Sequence, residues 1–243
     1  MRVGAVIPVR YASSRFPGKP LAKIAGIPMI DRVYGQVIKA STIDRVIVAT
    51  DDKRIFDHCE KKGIQVIKTS PSHRSGTDRV AEASQNMACD YIINVQGDEP
   101  FIPPDFLDQL ATALRAEEIT IATLYSRIEE HTISNDPSRV KVVMDNQSIA
   151  LYFSRSPIPY SRSSTEKVSY FQHLGVYGYR FETLQELTKL PVGKLESIEQ
   201  LEQLRWLEHG YKIHMVKVSG VSPGIDTPED LIEVERWLAE KSR

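Results

Sequence analysis

Short apolar runs alternate with helical patterns along the first half of this chain, and this alternation limits the fold more than any other feature. The run from Val3 to Val9 carries no charge, as expected for a central strand covered on both faces. Helices and strands are then predicted in alternation at residues 28–40, 46–50, 51–62, 64–67, 77–87, 91–95, 103–116 and 119–124. This order predicts an α/β fold with a mostly parallel sheet and helices on both faces.

The alternation ends near residue 125. Beyond it the patterns predict strands at 140–144, 149–153, 172–179 and 212–218, and helices at 196–209 and 227–241. Residues 145–147 are predicted to form a hairpin turn, residues 157–167 a loop, and Thr227 an N-cap with Asp230 in a capping box. We therefore predict an α/β core made of residues 1–125 and 211–243, with an inserted α+β lobe at 126–210.

The composition excludes several classes of protein. The formal net charge of −1 does not favour binding of nucleic acid or a membrane surface, so any anion site must be local. Cys59 and Cys89 lack metal-ligand spacing and indicate reduced thiols of a cytoplasmic protein. Pro8 and Arg10 interrupt the N-terminal apolar run, which favours a strand over a signal peptide.

A basic loop follows the first predicted strand. It carries three cations, Arg10, Arg15 and Lys19, among residues that break regular structure. A loop of this kind at a strand end can surround a triphosphate with backbone N–H groups and fixed cations. It is not a P-loop, because Pro20 stands where that motif has Ser or Thr. An ordinary solvated basic loop is the alternative interpretation.

Two carboxylates lie on turns marked by glycine and proline. Asp98 follows a predicted strand, and Asp226 precedes the last helix. Mg²⁺ takes one or two protein carboxylates and completes its shell with water and substrate phosphates. The pair would suit Mg²⁺ if the fold brings the two together. The alternatives are a solvated turn residue for Asp98 and a helix cap for Asp226.

Other segments offer groups for binding. Ser75, Gly76 and Thr77 begin a predicted helix, where N–H groups and hydroxyls can meet an anion or a base, although a plain helix cap is the commoner role. In the lobe, Arg155 is the best candidate to hold a carboxylate in bidentate fashion. Acids on the helix at 196–209 could bond sugar hydroxyls or simply face water.

These segments together resemble the bacterial 3-deoxy-D-manno-octulosonate (Kdo) cytidylyltransferases. The resemblance rests on motifs that run in order over nearly the whole length: residues 7–20, 48–51, 75–79, 94–100, 150–155, 173–179, 201–205 and 226–230. It implies a Rossmann-like nucleotide-diphospho-sugar transferase fold, Mg²⁺ as cofactor, and a homodimer built through the lobe. It also implies a cytoplasmic role in lipopolysaccharide biosynthesis, with CTP and Kdo as substrates.

The resemblance also implies site residues. Arg10 and Lys19 would hold the triphosphate, and Asp98 and Asp226 would bind Mg²⁺; these four are the predicted catalytic residues. The predicted nucleotide site comprises Pro8, Val9, Arg10, Ser13, Arg15, Lys19, Thr50, Ser75, Gly76, Thr77 and Gln96. The predicted sugar site comprises Gln96, Arg155, His173, Tyr177, Glu202 and Gln203. Val9 stands where many relatives have Ala, a departure of small consequence because its backbone would face the base.

Two alternatives remain at this point. The first is a cytidylyltransferase for a different acceptor, such as 8-amino-Kdo or another sugar or polyol. The second is a nucleotide-sensing protein that binds without turnover; two acids at 98 and 226 argue against it, because sensing alone would not need both.

Overall fold

The computed structural model describes residues 1–12, 15–128, 136–162 and 169–241. Its strands are β1 Val3–Val9, β2 Lys23–Ile24, β3 Ile27–Pro28, β4 Arg45–Thr50, β5 Val66–Lys68, β6 Tyr91–Asn94, β7 Ile121–Ile128, β8 Lys141–Met144, β9 Ala150–Ser154, β10 Tyr170–Arg180 and β11 His214–Lys217. Its helices are α1 Met29–Val37, α2 Lys53–Lys61, α3 Gly76–Ser84, α4 Pro104–Ala113, α5 Phe181–Leu187, α6 Lys194–Glu199, α7 Gln203–Glu208 and α8 Pro228–Lys241. Within the described ranges, no helix combines the length and the apolar character needed to cross a membrane.

The chain forms two compact units. The first comprises Met1–Ala111 and Ser222–Arg243, and the second Thr112–Val221. These limits differ from the predicted boundaries near residues 125 and 211. The difference arises because β7 pairs with both β10 and β11, which places the strands on either side of the predicted insertion in the second unit. The predicted role of the lobe in sugar binding and dimerisation stays a prediction.

The first unit is built on a parallel sheet with the strand order β6-β1-β4-β5. Every residue of β1 is buried, as the run without charge predicted for a strand covered on both faces. Helices α1, α2 and α3 contact these strands. Because β1 and β6 are parallel neighbours, the loops that leave their carboxyl ends begin at the same edge of the sheet.

The second unit has a mixed sheet with the order β11-β7-β10-β8-β9. Only the β11–β7 pair is parallel among these neighbours. The hairpin turn predicted at 145–147 is confirmed, because an Asp145 carboxylate oxygen accepts hydrogen bonds from the N–H groups of Gln147 at 2.8 Å and Ile149 at 2.9 Å.

The predicted helix at 196–209 is wrong as a single element. It is broken into α6 and α7, because Gln200 adopts a left-handed conformation with φ of 53°. The β2–β3 hairpin and α5 were not predicted. The predicted loop at 157–167 lies partly outside the described residues.

The capping box of α8 is confirmed. The Thr227 hydroxyl accepts from the Asp230 N–H at 3.2 Å, and an Asp230 carboxylate oxygen accepts from the Thr227 N–H at 2.8 Å. The same carboxylate oxygen accepts from the Asp226 N–H at 2.8 Å. These bonds fix the turn that presents Asp226.

Candidate functional site

The basic loop after β1 is closed on itself. The Gly18 N–H donates to the Tyr11 carbonyl at 2.9 Å, and Gly18 has a φ of 75°, which favours glycine. The guanidinium carbon of Arg54 lies 3.3 Å from the centre of the Tyr11 ring, a cation–π contact that fixes the start of the loop. A 3₁₀ turn at Lys19–Leu21 follows Gly18 directly. The loop therefore delivers Lys19 from a defined backbone.

Lys19 joins the two aspartates that the sequence singled out. Its ammonium nitrogen lies 2.8 Å from Asp98 Oδ2 and 3.1 Å from Asp226 Oδ1. The lysine side chain is only 13% exposed, so water screens these contacts less than at an open surface. A guanidinium nitrogen of Arg15 lies 3.2 Å from Asp226 Oδ2. The fold thus brings together the cationic loop and both acids, as the hypothesis of a shared site required.

Gly97 allows the turn before Asp98 to approach the first strand. A Cβ at this position would lie 2.3 Å from Cγ1 of Val9, a distance that real Cβ atoms essentially never show, and 3.2 Å from the carbonyl oxygen of Pro8, which is a tight contact. Beyond the turn, the Ile225 N–H donates to the Asp98 carbonyl at 3.1 Å. The turns that carry Asp98 and Asp226 are therefore bonded to each other through their backbones.

A cavity of about 280 Å³ in the first unit contains these groups. Its lining includes eleven residues from the end of β1, the basic loop, the start of α3, the turn after β6 and the turn before α8. They are Pro8, Val9, Arg10, Arg15, Lys19, Ser75, Gly76, Gln96, Gly97, Asp98 and Asp226. All four predicted catalytic residues belong to it. The lining combines cationic side chains with two carboxylates that contact them, which suits a polyanion accompanied by a divalent cation.

Some predicted nucleotide-site residues lie elsewhere. Thr50 and Thr77 are buried and do not line the cavity. Thr50 instead accepts a hydrogen bond from the Asp52 N–H at 3.2 Å. Ser13 lies outside the described residues. The hydroxyl of Ser75 caps α3 by accepting from the Asp78 N–H at 3.1 Å, so the helix-cap role proposed as the alternative for this segment is present.

The cavity also has lining residues that sequence reasoning did not assign. They are Pro20, His73, Arg74 and Arg79. Arg79 is only 5% exposed, and one of its guanidinium nitrogens lies 3.2 Å from Asp51 Oδ1. His73 bonds the Glu82 carboxylate. The motif at residues 75–79 marked this region, but only the fold shows which side chains face the cavity.

Glu99, next to Asp98, has an unusual environment. Burial raises the pKa of its carboxyl to about 7, and the negative charges of Asp98 and Asp226 add to this rise. The hydrogen bond from the Ser222 hydroxyl, at 2.8 Å, lowers the pKa and limits the rise. The turn therefore carries one carboxylate that faces the cavity and a second that is bonded to Ser222.

In the second unit, His173 and Tyr177 belong to a buried aromatic cluster. The His173 ring centre lies 5.0 Å from that of Phe153 and 5.3 Å from that of Tyr177, which itself packs at 5.1 Å against Trp206. Burial lowers the pKa of His173 to about 3, so its imidazole is neutral at pH 7. Burial likewise raises the pKa of Tyr177 well above its usual value.

Two side-chain nitrogens in this unit are buried and have no hydrogen-bond partner among the residues that the structure describes: the amide Nε2 of Gln203 and the indole Nε1 of Trp206. Buried donors of this kind normally have a partner, so they suggest that a polar ligand or water completes the site. Gln203 is one of the residues that the resemblance placed around the sugar, and Glu202 precedes it at the start of α7.

Arg155 is engaged by the protein itself. Its guanidinium donates to the backbone carbonyls of Glu199 at 2.7 Å, Pro137 at 2.7 Å and Gln200 at 3.2 Å. The Glu199 carboxylate accepts from the Arg155 N–H at 2.9 Å and from the Ser154 hydroxyl at 2.7 Å. Arg155 therefore connects the segment between α6 and α7 to β9. To bind a substrate carboxylate as predicted, it must use its remaining guanidinium N–H groups.

Comparisons with known proteins agree with this geometry. Residues 5–213 match the cytidylyltransferase family. A 3-deoxy-manno-octulosonate cytidylyltransferase of Syntrophotalea carbinolica is 47% identical over 98% of this chain and 99% of its own. An 8-amino-3,8-dideoxy-manno-octulosonate cytidylyltransferase of Shewanella sediminis is 46% identical over 98% and 99%.

A solved structure gives the same fold. The structure of CMP:2-keto-3-deoxy-manno-octonic acid synthetase complexed with CTP superposes with a TM-score of 0.94 at 42% identity, covering 99% of this chain and 100% of the other. A 4-diphosphocytidyl-2C-methyl-D-erythritol synthase of Anaerococcus prevotii has a TM-score of 0.64 at 16% identity, which concerns the fold alone. The predicted nucleotide-diphospho-sugar transferase fold is confirmed.

Proposed function

This chain belongs to the cytidylyltransferase family, and from this membership we propose that it joins CTP to Kdo, forming CMP-Kdo and pyrophosphate. One observation carries the proposal: Lys19 lies within 3.1 Å of carboxylate oxygens of both Asp98 and Asp226, and all three line a cavity that also contains arginines. A site that only sensed a nucleotide would not require this pair of acids beside the triphosphate position.

The reaction is an in-line displacement at phosphorus. The anomeric hydroxyl of Kdo attacks the α-phosphorus of CTP, its proton is lost, and the bond from that phosphorus to the bridging oxygen of pyrophosphate breaks. Negative charge grows on this bridging oxygen, so fixed cations stabilise the transition state more than the ground state. Arg10 and Lys19 are the cavity residues assigned to this role, with Arg15 beside them.

The residues present fit a divalent cation. Two carboxylates on separate turns already lie at hydrogen-bonding distance from one ammonium group, so a cation position is defined by protein oxygens. Mg²⁺ is suited by one or two carboxylates combined with substrate phosphates. Asp98 and Asp226 would hold it, and it would supply charge neutralisation at phosphate and a lower pKa for the attacking hydroxyl.

Each substrate has its own set of assigned residues. In the first unit, Pro8, Val9, Ser75, Gly76 and Gln96 are assigned to the nucleoside, with Gln96 also assigned to the sugar. In the second, the sugar acid is assigned to Arg155, His173, Tyr177, Glu202 and Gln203, supported by the unpartnered amide of Gln203. Thr77 stays in the proposal only as a sequence neighbour of a lining residue, and the roles of Thr50 and Ser13 stay predictions from the resemblance.

The wider setting is proposed from the resemblance to the Kdo cytidylyltransferases. An activated CMP-Kdo serves lipopolysaccharide biosynthesis, and its substrates are cytoplasmic metabolites. We assign the chain to that compartment and to a homodimer formed through the lobe, with CTP and Kdo as its small-molecule partners and no role for nucleic acid or a membrane.

Incubation of the purified protein with CTP, Mg²⁺ and Kdo tests the proposal. Mass spectrometry is expected to show CMP-Kdo, with one pyrophosphate released for each product. CTP binding by calorimetry without product from any acid sugar would instead identify a nucleotide-sensing protein.

A second acceptor has specific support. Relatives named 8-amino-3,8-dideoxy-manno-octulosonate cytidylyltransferases are 46% identical to this chain, close to the 47% of the first Kdo relative. To decide between the two acceptors, kcat/KM is measured from pyrophosphate release with Kdo and with 8-amino-Kdo, at the same enzyme concentration. We expect the ratio to favour Kdo.

A further inference from the structure

The two aspartate-bearing turns are joined at a second place, behind their carboxylates. The Ser222 hydroxyl donates to Glu99 Oε2 at 2.8 Å. Glu99 directly follows Asp98, and Ser222 lies four residues before Asp226. A side-chain bond therefore crosses between the same two segments that present the acids to Lys19.

A backbone bond lies beside this side-chain bond. The Ile225 N–H donates to the Asp98 carbonyl at 3.1 Å, and Ile225 is only 1% exposed. A Cβ added at Gly224 would lie 3.7 Å from both the Asp98 carbonyl oxygen and Glu99 Oε1, so the two segments approach to within about the space of one methyl group there. The Glu99–Ser222 bond completes a junction whose geometry sets the separation of the two acids.

We propose that Glu99 and Ser222 are positioning residues, whose hydrogen bond holds Asp98 and Asp226 at the separation needed to bind a divalent cation together. Neither residue needs to touch the cation or the substrates. The bond requires an oxygen acceptor at position 99 and a hydroxyl at position 222, and it does not require the negative charge of Glu99. The consequence for turnover rests on the proposed function, whereas the consequence for cation binding does not.

The charge and the bond are separable by substitution. Glu99→Gln keeps a side-chain oxygen that can accept from Ser222 but removes the charge. Glu99→Leu removes both, and Ser222→Ala removes the donor while Glu99 stays in place. Ser222→Thr restores a hydroxyl. Ser219→Ala is the matched control, because Ser219 is an exposed serine three residues earlier.

The experiment measures cation binding directly. Mn²⁺ alone is titrated into each nucleotide-free protein, and free Mn²⁺ is followed by electron paramagnetic resonance. Groups that orient metal ligands typically change metal affinity by about 10–100-fold when removed. We expect Ser222→Ala and Glu99→Leu to raise the Kd for Mn²⁺ by about tenfold, while Ser222→Thr, Glu99→Gln and Ser219→Ala stay close to the unmodified protein.

Steady-state kinetics with CTP, Mg²⁺ and Kdo give the second measurement. For Ser222→Ala, we expect kcat to fall by about tenfold with little change in the KM for CTP, because the nucleotide contacts are intact. An increased Mg²⁺ concentration is expected to recover part of the lost rate. A general loss of structure would lower the thermal midpoint and would not respond to Mg²⁺.

Several outcomes overturn the inference. If Ser222→Ala binds Mn²⁺ with the same affinity as the control Ser219→Ala, the Glu99–Ser222 bond does not position the aspartates. If Glu99→Gln weakens Mn²⁺ binding as much as Glu99→Leu does, the charge of Glu99 matters, and Glu99 acts on the cation directly. If Glu99→Leu does not fold, Ser222→Ala and Ser222→Thr decide alone. An unmodified protein that makes no product contradicts the proposed function, and the Mn²⁺ comparison still tests the junction.

Discussion

Asp98 and Asp226, separated by most of the chain, present carboxylate oxygens to the same ammonium group, 2.8 Å and 3.1 Å from Nζ of Lys19. The lysine and a divalent cation are therefore candidates for the same position between the acids. In this arrangement the ammonium group offsets part of the charge of the carboxylates, so a divalent cation held by Asp98 and Asp226 would compete with Lys19 for their oxygens.

Asp98→Asn is expected to remain folded and to lose at least about 10²–10³ in kcat. The amide keeps the shape of the side chain but removes the charge that attracts Lys19 and a cation. Pyrophosphate release measures the rate, and circular dichroism verifies the fold. Asp105→Asn, an exposed acid on α4, is the control and should keep normal activity. Near-normal turnover of Asp98→Asn would remove Asp98 from the catalytic set.

Lys19→Met is expected to change activity and cation binding in opposite directions. Turnover should fall by at least about 10²-fold, because a cation at the phosphates is lost. Mn²⁺ binding to the nucleotide-free protein should become tighter, because no ammonium group competes for Asp98 and Asp226. Lys23→Met, an exposed lysine on β2, is the control for both measurements. Weaker Mn²⁺ binding by Lys19→Met would contradict competition for one position.

Gly97→Ala is expected to lower the free energy of unfolding by about 1–3 kcal/mol. The new methyl group would lie 2.3 Å from Cγ1 of Val9, so one of the two segments must move. In a Val9→Ala background that atom is absent, and the cost of Gly97→Ala should be smaller. Urea unfolding of both single variants and the double variant measures this coupling. Strictly additive effects would show that the contact with Val9 is not the cause.

The cationic part of the site could be predicted because its signals are local. An apolar run without charge predicted both ends of β1. Glycine and proline after predicted strands indicated the turn that carries Asp98 and the loop that carries Lys19. The rule that ligands meet the carboxyl ends of parallel strands then placed these groups together. The neighbouring positions of β1 and β6 supply the structural reason.

The rest depends on long-range packing. The left-handed Gln200 that divides the predicted helix has no glycine to mark it, and the break is held by Arg155 from another strand. The bond between Glu99 and Ser222 joins residues 123 positions apart. Glu99 lies in the motif at residues 94–100, but Ser222 lies outside every motif, so no local pattern predicts this pair. Which side chains of the segment at 73–79 face the cavity likewise depends on how α3 packs, which periodicity alone does not determine.

His173 is expected to make the protein less stable in mild acid. Burial holds its pKa at about 3, against 6.5 for an exposed imidazole, and Nε2 lies 3.0 Å from the Thr123 hydroxyl. Because the pKa of His173 is depressed in the folded protein, below pH 6.5 the unfolded chain takes up a proton that the folded chain does not. Stability therefore decreases as the pH is lowered. Between pH 7.5 and pH 5, this proton uptake lowers the free energy of unfolding by about 2 kcal/mol.

The variant His173→Phe tests this effect. It should be less stable than the unmodified protein at pH 7.5, but the difference in stability should be about 2 kcal/mol smaller at pH 5. Urea unfolding at both values measures this, with His209→Gln, an exposed histidine, as the control. An equal deficit at both values would show that His173 is not the group whose protonation opposes folding.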